Sequence, residues 1–223
     1  MKSFTLCLSL MLSVFTASAV VYTPVAVTGY NQDLVADGSG TAASSVSVAT
    51  GFDGVKYAFV AQNYSYSGTP SYYLPTSGTI NSNLTTGLSW QLASYTANNV
   101  LHLPNANDTG RLTFVTPQSA AEVEVLCTAG IGAATATFTV VFTDGTTQTF
   151  TGVSIPDWYS SGGATSGIGR IDVTTDILDG TSSNPHLFEK KLTLSTSNYS
   201  KLIDHILVEN TDAGGRITGL IGI

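Results

Sequence analysis

The strongest constraint in this sequence is the shape of its apolar runs. Nearly all are short, rich in Val, Ile, Thr, Phe and Tyr, and closed off by Gly, Asn, Asp or Ser. Branched and aromatic side chains on a period of two, punctuated by turn formers, specify strands. The spacing predicts strands over 21–28, 55–62, 88–93, 100–103, 112–116, 122–128, 135–142, 148–155, 168–173, 186–194, 202–209 and 217–221. Strands this close together, with no βαβ rhythm, heptad or internal repeat, predict an all-β chain folded as an antiparallel β-sandwich.

The clearest local signal lies in 135–150, where polar Thr and Gln alternate with apolar Ala, Phe and Val on both sides of Asp144-Gly145. Asp-Gly suits the two left-handed positions of a type I′ hairpin turn. One face of this hairpin enters a core and the other is a row of threonines. Such a row invites comparison with ice- or glycan-binding arrays, but exposed threonine is ordinary on the wet face of a strand. Segment 197–207 reads as a turn followed by a strand. Stretches 38–47, 65–83 and 160–167 are long, polar and rich in Gly and Ser, so a binding surface would be built there.

The first residues read as an export signal: Lys2, an apolar run over 4–15, and the small-residue exit Ala17-Ser18-Ala19. Cleavage is expected after Ala19, leaving 20–223 as one β-sandwich domain. The run is shorter than the roughly 20 apolar residues a membrane helix needs and is broken by Ser9 and Ser13, so no membrane span is expected. The expected location is extracellular or at the cell surface. With Cys7 in the leader, Cys127 is the single cysteine of the mature chain, and its strand context marks a buried thiol without a disulfide partner.

Charge excludes further classes. Only 10% of the 223 residues are charged, and 8 Lys+Arg against 15 Asp+Glu give a net charge of −7. No basic field exists to hold a phosphate backbone, so nucleic acid is not an expected partner. A hydrophobic content of 43% is too high for a disordered chain. The sequence contains no Gly-x-Ser-x-Gly elbow, His-Glu-x-x-His, phosphate loop or dinucleotide fingerprint, and His102, His186 and His205 are scattered. Nothing there supports catalysis, and a polysaccharide hydrolase or lyase ranks third among the functions considered. No cofactor is required. Asn105 to Asp108, and Asp33 with Asp37, leave room for a structural calcium but match no calcium loop and read as turns.

The aromatic residues point toward ligand chemistry. Tyr64, Tyr66, Tyr72 and Tyr73 share one Gly/Ser/Pro-rich stretch, and Trp158-Tyr159 follows Pro156-Asp157. Sugars stack their C–H faces on exposed rings and hydrogen-bond neighbouring polar groups. A stacking platform and a cap over the core fit Trp158-Tyr159 equally well. Trp90 shares a face with Leu88 and Leu92 and reads as core.

Several segments carry a resemblance: Gly-Leu-Ser-Trp-Gln-Leu-Ala over 87–93, Val-Phe-Thr-Asp-Gly-Thr over 141–146, Pro156-Asp157-Trp158-Tyr159, Gly167-Ile168-Gly169-Arg170, Asn184-Pro185-His186-Leu187 and Lys201-Leu202-Ile203. Together they look like a β-domain of secreted, often multi-domain surface proteins of Bacteroidetes. The organisation also resembles galactose-binding-like jelly rolls, the fold of many carbohydrate-binding modules and discoidin-type adhesion domains. The resemblance implies a jelly roll that binds a polysaccharide or other glycan. On this reading Trp158 and Tyr159 stack on the sugar, Asp157, Arg170 and His186 bond its hydroxyls, and Tyr72 and Tyr73 extend the surface. For Arg170 an ion pair with Asp157 or Asp172 that fixes the loop fits equally. A self-associating matrix protein, joined through strand edges or hydroxyl-rich faces, is the second reading.

Overall fold

In a computed structural model of the chain, residues 20–214 and 216–223 are described; the expected leader therefore lies outside the described residues. The protein is all-β, with two main antiparallel sheets packed face to face. Strands are numbered in chain order. Sheet A runs β1 (Val27–Thr28), β7 (Thr109–Gln118), β15 (Ile203–Asn210), β9 (Ala134–Phe142), β10 (Thr147–Ile155). Sheet B runs β11 (Thr165–Ser166), β14 (His186–Thr193), β8 (Glu122–Gly130), β16 (Ile217–Gly222), β6 (Leu101–Leu103). Pairing is nested: β9 with β10, β8 with β14, β7 with β15 and β6 with β16.

The main core lies between these sheets. Along β9, Ala134, Ala136, Phe138, Val140 and Phe142 point inward while Thr135, Thr137 and Thr139 face outward, the period-two pattern the sequence shows. They meet Val123, Val125 and Cys127 of β8 across the gap. Burial of this apolar surface is the main stabilising term, at roughly 25 cal/mol per Å².

Sheet B is covered on its other face as well. A smaller sheet, β13 (Leu178–Asp179), β12 (Arg170–Asp172), β3 (Tyr57–Val60) and β2 (Val35–Ala36), and the hairpin of β4 (Thr79–Asn81) with β5 (Ser89–Gln91) build a third layer. Phe52, Phe59, Trp90 and Trp158 from this layer pack on Leu126, Ile217 and Ile221 of sheet B. Gly219 makes the contact possible, because a Cβ there would lie 2.3 Å from the Phe52 ring. Covered on both faces, β8 and β16 are buried almost throughout.

The long hairpin differs from the expected turn. Only Gly145 takes a positive φ, 80°. The Phe142 carbonyl accepts from Gly145 N–H at 2.9 Å and the Phe142 N–H donates to Thr146 O at 2.9 Å. This is a three-residue loop with glycine in the left-handed position, not the two-residue type I′ form. Asp144 instead caps the loop, accepting the Thr146 N–H at 2.9 Å. The segment following Leu194 is a turn and a strand, as expected: a 3-10 turn over Thr196–Asn198 leads to β15.

Candidate functional site

In the third layer, the centre of the candidate site is Arg170 on β12. It stands opposite Phe59 of β3 and Asp179 of β13. The preceding Gly169 has φ 68°, and a Cβ there would lie 2.0 Å from the Tyr72 carbonyl oxygen. Only glycine lets the Tyr72 backbone close over the start of β12.

The guanidinium is fixed from two directions. Nε and Nη2 both donate to Asp179 Oδ2, at 2.8 and 2.7 Å. Its Cζ lies 3.6 Å from the Tyr57 ring centroid and 4.4 Å from that of Tyr159, so the cation sits against two tyrosine rings. Tyr159 is 40% exposed and its hydroxyl reaches Asp179 Oδ2 at 3.4 Å. Burial on its inner side pushes the Tyr159 phenol above its ordinary pKa, with Arg170 opposing. Beside this cluster, Lys56 Nζ pairs with Asp172 at 2.8 Å and lies 4.9 Å from the Tyr57 centroid. The surface thus offers a partly open ring together with paired, mutually neutralised charges.

The expected site residues divide. Tyr159 and Arg170 come together here. Trp158 is adjacent but only 3% exposed, with its ring packed on Phe52 and Phe59 at 5.1 and 5.6 Å; it belongs to the core beneath the site. Asp157 is occupied by backbone donors, Gly132 N–H at 2.7 Å and Tyr159 N–H at 2.8 Å, so it shapes the turn that presents Tyr159. His186 is buried, its ring stacked on Phe188 at 5.9 Å with Nδ1 unbonded, and burial lowers its pKa. A Cβ on Gly163 would lie 2.7 Å from the His186 ring, so that loop covers it closely.

Tyr72 and Tyr73 are half-buried on the neighbouring loop. The Tyr73 hydroxyl accepts from Gln62 Nε2 at 3.4 Å, and Gln62 Oε1 accepts from Thr76 at 3.4 Å. Thr76 in turn lines a shallow cleft of about 320 Å³ with Asn63, Ser77, Gln91 and Tyr95. This is a hydroxyl- and amide-lined surface whose one acidic neighbour is Asp37.

Tyr57 and Asp179 belong to the site but were not candidates from the sequence. Alternation through Lys56-Tyr57-Ala58-Phe59 marks Tyr57 as facing the same side as Phe59, but nothing local marks it as Arg170's neighbour. The Arg170 ion pair exists with a partner other than Asp157 or Asp172, since the former holds a turn and the latter holds Lys56.

The carboxylates of the oxygen clusters that leave room for calcium accept hydrogen bonds from the protein, Asp108 and Asp37 within their own loops and Asp33 from a distant one. Asp108 Oδ2 accepts from the Asn105 backbone and side chain at 2.8 and 3.0 Å, Asp33 Oδ1 from Asn99 at 2.7 Å, and Asp37 Oδ1 from Ser45 at 3.0 Å. Among the described residues, no three His, Cys, Asp or Glu side chains converge as a metal site. The fold is that of an all-β, sandwich-like protein, and its third layer carries a cluster of aromatic rings and paired charges on β3, β12 and β13 with Tyr159 beside them. The chain matches no protein-family model and no curated protein.

Proposed function

We propose that this chain is a secreted, non-enzymatic module of the jelly-roll type that binds neutral carbohydrate at the Tyr159–Arg170 surface. The nested pairing supports the jelly-roll reading: folding one long antiparallel ribbon across two sheets pairs first strand with last and second with next to last, as β6 to β10 and β14 to β16 do. The observation that carries the binding reading is the partly exposed Tyr159 ring, held rigid beside Arg170 and Asp179. Because Asp179 already neutralises Arg170, the site offers donors and acceptors for hydroxyls, without a free charge to select an anion. The ordered side chains would lose little entropy on binding.

A panel of neutral and acidic polysaccharides, followed by calorimetry on any binder, tests this. Tyr159→Ala is expected to weaken binding of a neutral glycan at least tenfold, and absence of binding to every glycan overturns the proposal. One observation favours the second reading, self-association. The nine-residue β10 is an edge strand of sheet A and carries no charged side chain, so the usual electrostatic guard of an edge is absent. Concentration-dependent sedimentation without added sugar would favour that reading.

A further inference from the structure

At another edge of the molecule, a cleft of about 480 Å³ opens where the chain enters the fold, lined by residues of both main sheets and by Leu88, Ser89 and Trp90 of the third layer. Phe114, Ile203 and Ile223 form its apolar wall, Glu122 and Glu124 line it, and Val20 to Thr23 run along it. The two glutamates stand on the same face of β8. Glu124 is 7% exposed, yet both of its carboxylate oxygens are shielded from solvent and accept no hydrogen bond. That is a costly arrangement for a carboxylate.

The surrounding groups do not balance it. Lys191, opposite Glu124 on β14, places Nζ 3.1 Å from Glu122 and 3.4 Å from Glu124, so one half-exposed ammonium is shared between two carboxylates. The Tyr22 hydroxyl donates to Glu122 at 3.0 Å and leaves Glu124 unaided. The neighbouring Glu189 is satisfied elsewhere, by Ser82 at 2.6 Å and Thr85 at 2.7 Å. Burial raises the Glu124 carboxyl pKa, and Lys191 only partly opposes this. The cluster is short of one cation with hydrogen-bond donors.

The chain itself can supply that cation. Val20 and Val21 are 67% and 84% exposed, and the first backbone hydrogen bond of the described chain is from Val25 N–H to Ile223 O at 3.0 Å. The residues before Val25 are therefore tied down mainly through Tyr22. We propose that Glu124, together with Glu122, binds the α-ammonium that cleavage between Ala19 and Val20 leaves on Val20. A signal peptidase adds water across that amide; the Ala19 side leaves as a carboxylate, and the Val20 amine takes up a proton at neutral pH. Before cleavage Val20 offers one neutral N–H. Afterwards it offers a positive charge with three donors, in the same cleft as the carboxylate that lacks them. Removal of the leader thus completes an ion cluster that clamps the entry of the chain onto β8.

The inference rests on the export-signal reading and is independent of carbohydrate binding. Its test begins with N-terminal sequencing of the secreted chain, which must start at Val20. The α-amine is then titrated by NMR in the wild type, in Glu124→Gln, and in a chain carrying one extra glycine before Val20. The wild-type amine is expected to titrate about one unit above the ordinary 7.7–8.0. Glu124→Gln should remove most of that shift, and the extra glycine should lower the thermal midpoint of the wild type by more than that of Glu124→Gln. A terminus other than Val20, an unshifted amine, or equal effects of the extra glycine in both backgrounds overturns the proposal.

Discussion

Trp158 and Tyr159 are adjacent in sequence and opposite in role because the backbone between them is pinned. Trp158 N–H donates to Ala129 O at 2.9 Å and its carbonyl accepts His186 N–H at 2.7 Å, which turns the indole down onto Phe52. The next side chain must then point outward. Trp158→Ala removes a buried aromatic and is expected to cost about 3–5 kcal/mol of stability. Tyr159→Ala at the surface is expected to cost about 1 kcal/mol or less. Urea denaturation distinguishes them, and equal losses would mean that Tyr159 is structural too. Asp172, below the same site, gives a pH signature. Its burial pushes the carboxyl up, but the hydrogen bonds from Lys56 and Thr174 outweigh this and hold it well below the usual range. A carboxyl depressed in the folded state contributes stability above its unfolded pKa of about 3.9 and loses it as pH falls toward the folded value. Asp172→Asn is therefore expected to destabilise the protein at neutral pH and to flatten the loss of stability in acid, measured as denaturation midpoints from pH 6 down to pH 2.

Among the elements, turns and strand starts rest on glycines with different demands. Gly145, at the hairpin tip, has φ 80° with no atom within 4 Å of an added Cβ, whereas at Gly169 that Cβ would strike the Tyr72 backbone at 2.0 Å. Gly145→Ala is expected to cost about 1–2 kcal/mol, the backbone penalty alone. Gly169→Ala adds a clash against backbone that cannot rotate away, so it should cost more and displace Arg170 from Tyr57. Denaturation with near-UV circular dichroism reads both effects. Strands with one wet face, such as β9 and β15, are legible in the sequence through alternation, and the buried β8 and β16 through short apolar runs closed by turn formers. The short β2, β4, β11 and β13 have two or three residues each and so no period to detect. In the site, Arg170 and Tyr159 were legible as unusual residues beside a Gly-rich loop. Their partners were not, because Tyr57 reaches Arg170 only through the β3–β12 pairing, which no local pattern encodes. Trp158 is ambiguous in the sequence because no local pattern encodes a third layer over sheet B, and in a two-layer sandwich that indole would lack the cover that Phe52 and Phe59 give it.

Over the whole molecule, the nested pairing ties early strands to late ones, so folding is expected to be a single cooperative event. The strands that come latest in sequence are inner ones: β15 lies between β7 and β9, and β16 between β8 and β6. Neither main sheet can close on 20–202 alone, and the third layer then has no sheet B to pack on. Cys127 reports on this directly. Its thiol lies in the main core of β8, pointing to the Phe188 carbonyl at 3.7 Å, and burial pushes its pKa up to about 12. In the intact protein a disulfide reagent is expected to modify Cys127 only through opening of the core, at a rate that rises with urea in step with global unfolding. In a chain truncated after Leu202, the thiol should react at the rate of an unfolded peptide without urea, and far-UV circular dichroism should lack the β signal. If the truncated chain instead protects Cys127, sheet B forms without β16, and cooperativity between the layers is weaker than the strand order requires.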